Sequence, residues 1–138
     1  MYGKFDHNID DKGRVFVPAK LRETLGDEFY VSPGLRKCLN VYTAAKWAEI
    51  QEKVTSLPMS MREDMLVIFG NTTQCKPDKQ GRISLTAEQR LYGDLQQEVT
   101  IVGLGDHAEI WDAAAYKAQE AERMNPASVR AVLGAMGI

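Results

Sequence analysis

A short turn sequence that occurs twice constrains this chain more than any other feature. Asp10-Asp11-Lys12-Gly13-Arg14-Val15 returns as Asp78-Lys79-Gln80-Gly81-Arg82-Ile83, 68 residues later. Ala19 and Arg22 match Ala87 and Arg90 at the same spacing. Gly34-Leu35 then matches Gly103-Leu104, Val41-Tyr42 matches Ile110-Trp111, and Trp47 matches Tyr116, now at a spacing of 69. One residue inserted between the blocks accounts for the change. A lone Asp-x-x-Gly-Arg would carry little weight, because Asp and Gly are common turn residues. Two copies in the same order, each followed by the same later features, mark an internal duplication.

Each copy has the same local grammar. An alternating strand (about Tyr2 to Ile9, and Thr72 to Lys76) leads into the repeated turn, and a short strand follows (Arg14 to Val17, and Arg82 to Leu85) with Val15 and Val17 on one face. A brief helix comes next. Pro18 suits its opening turn in the first copy, where a missing N–H costs nothing. Thr86-Ala87-Glu88-Gln89 has the form of a capping box in the second, and Gly26 and Gly93 are expected to end the two helices. A strand pair then follows, Phe29 to Ser32 with Leu39 to Tyr42, and Val99 to Val102 with Glu109 to Trp111, with Gly103-Leu104-Gly105 as a hairpin turn. Thr43 and Asp112 stand where they can cap closing helices.

The first closing helix carries Trp47, Ile50, Val54 and Leu57 at helical spacing. A second helix, about Met61 to Phe69, is expected to pack Met61, Met65 and Ile68 into the core. A tail after Asn125-Pro126 carries Val129, Val132, Leu133 and Met136 along one side. The expected division is 1–57 and 72–124 for the two repeats, 58–71 for a connecting helix and 125–138 for the tail. Four short strands have too little core to stand alone and leave edges unpaired. The expected fold is therefore α+β, mostly β, with two half units interleaved about a pseudo-twofold axis into one closed barrel flanked by short helices.

Several classes are disfavoured. No apolar run approaches the roughly 20 residues of a membrane span, and no signal-peptide pattern opens the chain. Cys38 and Cys75, the only two cysteines, suggest neither a disulfide framework nor a zinc site, so a cytoplasmic protein with reduced thiols is expected. His7 and His107 are isolated, no Gly-rich phosphate loop opens a helix, and no nucleophile–base set is apparent. An enzyme, a cofactor, a metal site and a small-molecule substrate are accordingly not expected. The net charge of −2 argues against indiscriminate nucleic-acid binding but leaves open a local basic face.

The repeated turn offers that face. Gly13 and Gly81 sit where a tight turn needs positive φ or close backbone approach. Asp10 and Asp78 can accept backbone N–H groups across it. Arg14 and Arg82 project from the residue after the glycine, with Lys12, Lys20, Arg22, Lys79 and Arg90 nearby. In one reading each Asp–Arg pair only stabilises its turn. In the other, both loops face one way and present guanidinium groups to phosphates and guanine edges. The second reading makes Asp10, Lys12, Gly13, Arg14, Asp78, Lys79, Gln80, Gly81 and Arg82 the candidate DNA-binding residues. A protein-interaction module using the same fold is the competing function; it would have no need of an arginine in both copies.

These residues resemble a known family. Gly3, His7, Ile9-Asp10, Lys12-Gly13-Arg14 and Val17-Pro18-Ala19-Lys20 look like the opening of MraZ proteins. Asp78-Lys79-Gln80-Gly81-Arg82, Val102-Gly103-Leu104-Gly105-Asp106 and Glu109-Ile110-Trp111 resemble the same family in order and spacing, over about Met1 to Tyr116. Thr86 departs from the proline that family often has there. The resemblance implies a member of the SpoVT/AbrB group of swapped-hairpin DNA-binding domains. It implies a nucleoid-associated ring homo-oligomer that binds repeated promoter elements of double-stranded DNA before the division and cell-wall gene cluster, usually as a repressor. It also implies that the loops Asp10 to Arg14 and Asp78 to Arg82 contact DNA.

Overall fold

A computed structural model describes residues 1–138 as eight strands and six helices. The first copy supplies β1 (Tyr2–Asn8), β2 (Arg14–Phe16), α1 (Ala19–Leu25), β3 (Phe29–Pro33), β4 (Leu39–Thr43) and α2 (Ala44–Val54), followed by α3 (Met59–Gly70). The second supplies β5 (Thr73–Cys75), β6 (Arg82–Ser84), α4 (Ala87–Tyr92), β7 (Glu98–Leu104), β8 (His107–Asp112) and α5 (Ala113–Arg123), followed by α6 (Pro126–Ala135). No helix is long and apolar enough to cross a membrane.

The copies exchange strands. A six-stranded antiparallel sheet runs β1-β7-β8-β4-β3-β5, and β2 and β6 form a separate two-stranded ribbon. Exchanging each strand for its counterpart reverses the sheet order and leaves it unchanged, so a pseudo-twofold axis passes between β4 and β8 and through the ribbon. β1 lies against β7 of the other copy along its whole length, from Tyr2 opposite Leu104 to Asn8 opposite Glu98. β5 lies against β3 in the counterpart place.

The expected closed barrel is not formed. β1 and β5 remain free edges of an open sheet, because the Gly13 and Gly81 turns direct β2 and β6 away from the strands before them and onto each other. The strand registers also revise the alignment of the copies. Pro33 pairs with Leu39 and Gly103 with Ala108, so β3 and β7 correspond at a spacing of 70 and the first copy's turn is one residue longer. The match of Gly34-Leu35 to Gly103-Leu104 is therefore one residue out of structural register.

Both copies fill one core. Val15, Val17, Leu21, Phe29, Val31, Leu39 and Val41 pack with Ile83, Leu85, Val99, Ile101, Ala108 and Ile110 in a single buried cluster. Burying each large apolar side chain contributes about 1.5–3 kcal/mol, and neither half retains these contacts alone. Gln89, 1% exposed, fastens the copies further. Its Oε1 accepts from the Thr86 N–H, while its Nε2 donates to the carbonyls of Val31 (3.3 Å) and Asn71 (3.0 Å) and to Thr73 Oγ1 (3.2 Å).

The caps follow the sequence. Thr43 Oγ1 accepts from the Lys46 N–H and Asp112 Oδ2 from that of Ala115, while Thr86 and Gln89 form the reciprocal capping box. Gly26 ends α1 with φ 82°, whereas Gly93 ends α4 with φ −78° and the left-handed residue is Asp94, φ 51°. Trp47 is buried as expected. Met65 and Ile68 are half-buried, but Met61 is 53% exposed, because α3 rests on the sheet through its C-terminal half and leaves its first turn in solvent.

Candidate nucleic-acid interface

The two repeated turns have the same construction. Asp10 Oδ1 accepts from the N–H groups of Lys12 and Arg14, both at 2.9 Å, and Oδ2 accepts from Arg14 Nε at 2.7 Å. Asp78 Oδ1 accepts from Gln80 and Arg82, both at 2.9 Å, and Oδ2 from Arg82 Nε at 2.9 Å. The Gly13 and Gly81 N–H groups close the turns onto the Asp10 and Asp78 carbonyls. Both aspartates are held below the ordinary carboxylate range, chiefly by the arginine backbone N–H; desolvation opposes this, and the remaining hydrogen bonds and the guanidinium charge lower them further.

Both glycines have the positive φ the turn requires, 77° at Gly13 and 82° at Gly81. They also let the copies approach closely. The Gly13 carbonyl accepts from the Leu85 N–H at 2.8 Å, and the Gly81 carbonyl from that of Val17 at 2.9 Å. A Cβ on Gly13 would stand 3.0 Å from the Leu85 carbonyl oxygen; one on Gly81 would stand 2.9 Å from both the Arg22 guanidinium and the Phe16 ring.

Between the turns runs the ribbon, with Arg14 opposite Ser84, Val15 opposite Ile83 and Phe16 opposite Arg82. Strand alternation buries Val15 and Ile83 and turns Arg14, Phe16, Arg82 and Ser84 outward. The predicted arginines thus meet on one face as diagonal neighbours. Each spends only Nε on its own aspartate. The Arg14 Nη atoms make no hydrogen bond within the chain, whereas Arg82 Nη1 also lies 3.9 Å from Asp10 Oδ2. Lys12, Lys79 and Gln80 are exposed and their side chains have no bonded partner. The turn-stabilising reading and the surface reading are served by the same atoms, since the ion pair that rigidifies the turn aims the rest of the guanidinium outward.

Two further cations join this face. Arg22 donates from Nε to the Val17 carbonyl, lies 5.5 Å above the Phe16 ring, and touches the place a Gly81 Cβ would take. Arg90 occupies the counterpart place beside Gly13. Phe16, which also meets the His7 ring edge-on at 5.1 Å, is the residue sequence reasoning missed; its spacing of two from Arg14 was the available signal. Segments 10–22 and 78–90 together hold seven Lys or Arg against four Asp or Glu, a net of +3 in a chain of net −2. No group of three or more His, Cys, Asp or Glu side chains is placed to hold a metal. Cys38 and Cys75 are free and buried, and burial pushes the Cys38 thiol up to about 11.

The fold and this ribbon define a duplicated α+β protein whose copies exchange strands and pool their arginines on one basic face. Comparison with known proteins gives the class its name. The protein family described as "MraZ protein, putative antitoxin-like" matches twice, over residues 1–67 and 68–132. The chain is 46% identical over 112 residues to the transcriptional regulator MraZ of Desulforamulus reducens, covering 79% of each chain. It is 42% identical over 114 residues to that of Halothermothrix orenii, covering 80% of each, and 43% identical over 112 residues to that of Carboxydothermus hydrogenoformans, covering 79% and 78%. The chain belongs to the MraZ family.

Proposed function

We propose that this chain is a transcription regulator that grips double-stranded promoter DNA with the β2–β6 ribbon. The observation that carries the reading is the ladder placing Arg14 and Arg82, one from each copy, on one outward face with their aspartates fixing their direction. Asp10, Lys12, Gly13 and Arg14 form one contact loop; Asp78, Lys79, Gln80, Gly81 and Arg82 form the other. Arg22 and Arg90 add phosphate contacts at the flanks. A two-stranded ribbon fits the major groove, where paired guanidinium donors match O6 and N7 of guanine. The relatives are named as regulators and not as enzymes, which agrees with a face built for binding and with a reading that needs no cofactor or small-molecule substrate.

The finer reading follows the family. Residues 1–57 and 72–124 are two swapped-hairpin units, supported by the β1–β7 and β5–β3 exchange, joined by 58–71 and followed by a tail at 125–138. Several subunits form a ring in the cytoplasm, on the nucleoid. They occupy repeated elements before the division and cell-wall gene cluster and repress it. A ring answers the charge objection, because repeated basic faces on one surface add weak contacts into avidity.

Fluorescence anisotropy of the protein with DNA from upstream of its own gene, against scrambled DNA over a salt series, tests this. The expected result is sequence-selective binding that weakens by about 0.9 log unit per log unit of salt for each phosphate contacted. A folded protein that binds neither DNA at low salt would overturn the reading in favour of the second one, a protein-interaction module, which the antitoxin-like family description favours.

A further inference from the structure

The two closing helices are counterparts that have taken different places. Pro58-Met59-Ser60-Met61-Arg62 opens α3, and Pro126-Ala127-Ser128-Val129-Arg130 opens α6, 68 residues later. α3 has a seat on its own sheet. Its Phe69 ring meets Trp47 edge-on at 5.7 Å, and Trp47 in turn stacks on Tyr30 at 5.5 Å. Each member of that aromatic set is reduced in the second copy. The strand registers and spacing set Thr100 against Tyr30, Tyr116 against Trp47 and Gly137 against Phe69. The counterpart seat, between β1, β7 and α5, is an open polar groove lined by Lys4, Asp6, Glu98, Thr100, Tyr116 and Glu120, with a Lys4–Glu120 ion pair of 2.7 Å on its rim. Such a groove does not suit an apolar helix.

α6 is nonetheless apolar on nearly every side. Val129, Val132, Leu133, Met136 and Ile138 are 46%, 61%, 38%, 61% and 83% exposed, and the only ionised side chain from 126 to 138 is Arg130. A helix hydrophobic all round belongs in an interior, and one shorter than about 12–15 residues has little stability of its own in water. The face of α3 turned from its sheet is the matching surface. Met59, Leu66 and Val67 are 74%, 67% and 65% exposed, and Glu63 and Asp64 lie among them at helical spacing. Apolar stripes thus occur on both helices, with Arg130 beside one and two carboxylates beside the other.

We propose that α6 of one copy docks on the outward face of α3 of the next, Arg130 against Glu63 and Asp64, and that this is the contact that joins subunits. The proposal rests on the ring reading above and specifies its interface. Because α3 and α6 are different elements of the chain, the contact is heterologous, head to tail, and repeats from copy to copy, closing into a ring where its rotation allows.

Size-exclusion chromatography with light scattering on the full chain tests it, with a thermal melt confirming that each variant stays folded. Leu66→Asp and Leu133→Asp are each expected to abolish the wild-type assembly. Mixed together they are expected to form a dimer of twice the single-chain mass, since each retains the helix the other has lost. Arg130→Glu, a milder change, should weaken assembly at least tenfold in concentration, and Glu63→Arg added to it should restore it. Wild-type mass in both Asp variants, or a mixture that stays monomeric, would overturn this interface and leave the ring reading standing. A monomeric wild-type protein would overturn both.

Discussion

The repeated turns and the closing helices began as equal pairs and have diverged to different degrees. The Asp10 and Asp78 turns keep the same hydrogen bonds, atom for atom, while α3 keeps an aromatic seat that α6 has lost. Position about the pseudo-twofold axis explains the contrast. The turns meet at the axis, where each glycine carbonyl completes the other copy's backbone, so a change in one disturbs both. The closing helices contribute no residue to the shared core, and α3 packs on β3, next to the outer strand β5, so a change in one need not disturb the other. Symmetry is retained where the copies touch and relaxed where they do not.

Within the turns the two arginines still differ, and that difference comes first among the expected effects. Arg14 has both Nη atoms unengaged, whereas Arg82 shares one with Asp10. Replacing Arg14 with Ala should weaken binding to the selected DNA by about 10- to 100-fold, in line with about 1–3 kcal/mol for a well-aligned bidentate contact; Arg82→Ala should cost less, and oligomer mass should be unchanged in both. Equal losses in the anisotropy titration would break the distinction, and an unfolded Arg14→Ala protein would return these residues to a purely structural role.

The glycines should show a smaller difference, of the same sense. At Gly13 an added Cβ faces the backbone oxygen of Leu85, which is fixed in the ribbon; at Gly81 the closest groups are the Arg22 head, which can swing away, and the Phe16 ring. Left-handed backbone alone costs an L-residue about 1–2 kcal/mol. Urea unfolding should therefore show Gly13→Ala as the more destabilising, with both losses at or above that range.

Acid should have the smallest effect. Folding lowers the pKa of both Asp10 and Asp78, so the stability they add is fully present above the unfolded value of about 4 and is lost as pH falls through the lowered folded values. Comparing urea midpoints at pH 6 and pH 3, the Asp10→Asn, Asp78→Asn double variant should fall less than the wild type. A drop as large as the wild type's would place the acid sensitivity elsewhere.

Much of this was legible in the sequence because it is local. Turn chemistry, strand alternation and caps at Thr43, Asp112 and Thr86 are each decided within a few residues. The duplication supplied one long-range fact, that the arginines come as a pair. The rest depends on partners distant in the chain. Whether the sheet closes depends on where β2 and β6 go after their turns, and they find each other instead of lengthening the sheet. The one-residue shift of Gly34-Leu35 against Gly103-Leu104 is visible only once strand partners are known. Phe16 reads as a strand hydrophobe until the ribbon sets it beside two arginines, and the exposure of Met61 reflects the angle at which α3 leaves the sheet. The mobility of a side-chain role between core and surface is set by packing, not by residue type.

The exchange of β1 also has a consequence in time. Tyr2 leaves the ribosome 102 residues ahead of its partner Leu104. At about 5–20 residues per second, the first strand waits about 5–20 s with its hydrogen-bonding edge bare. The polar side chains Lys4, Asp6 and Asn8 along β1 are the kind that discourage premature edge pairing, so the opening strand is written as much for its unpaired interval as for its final place.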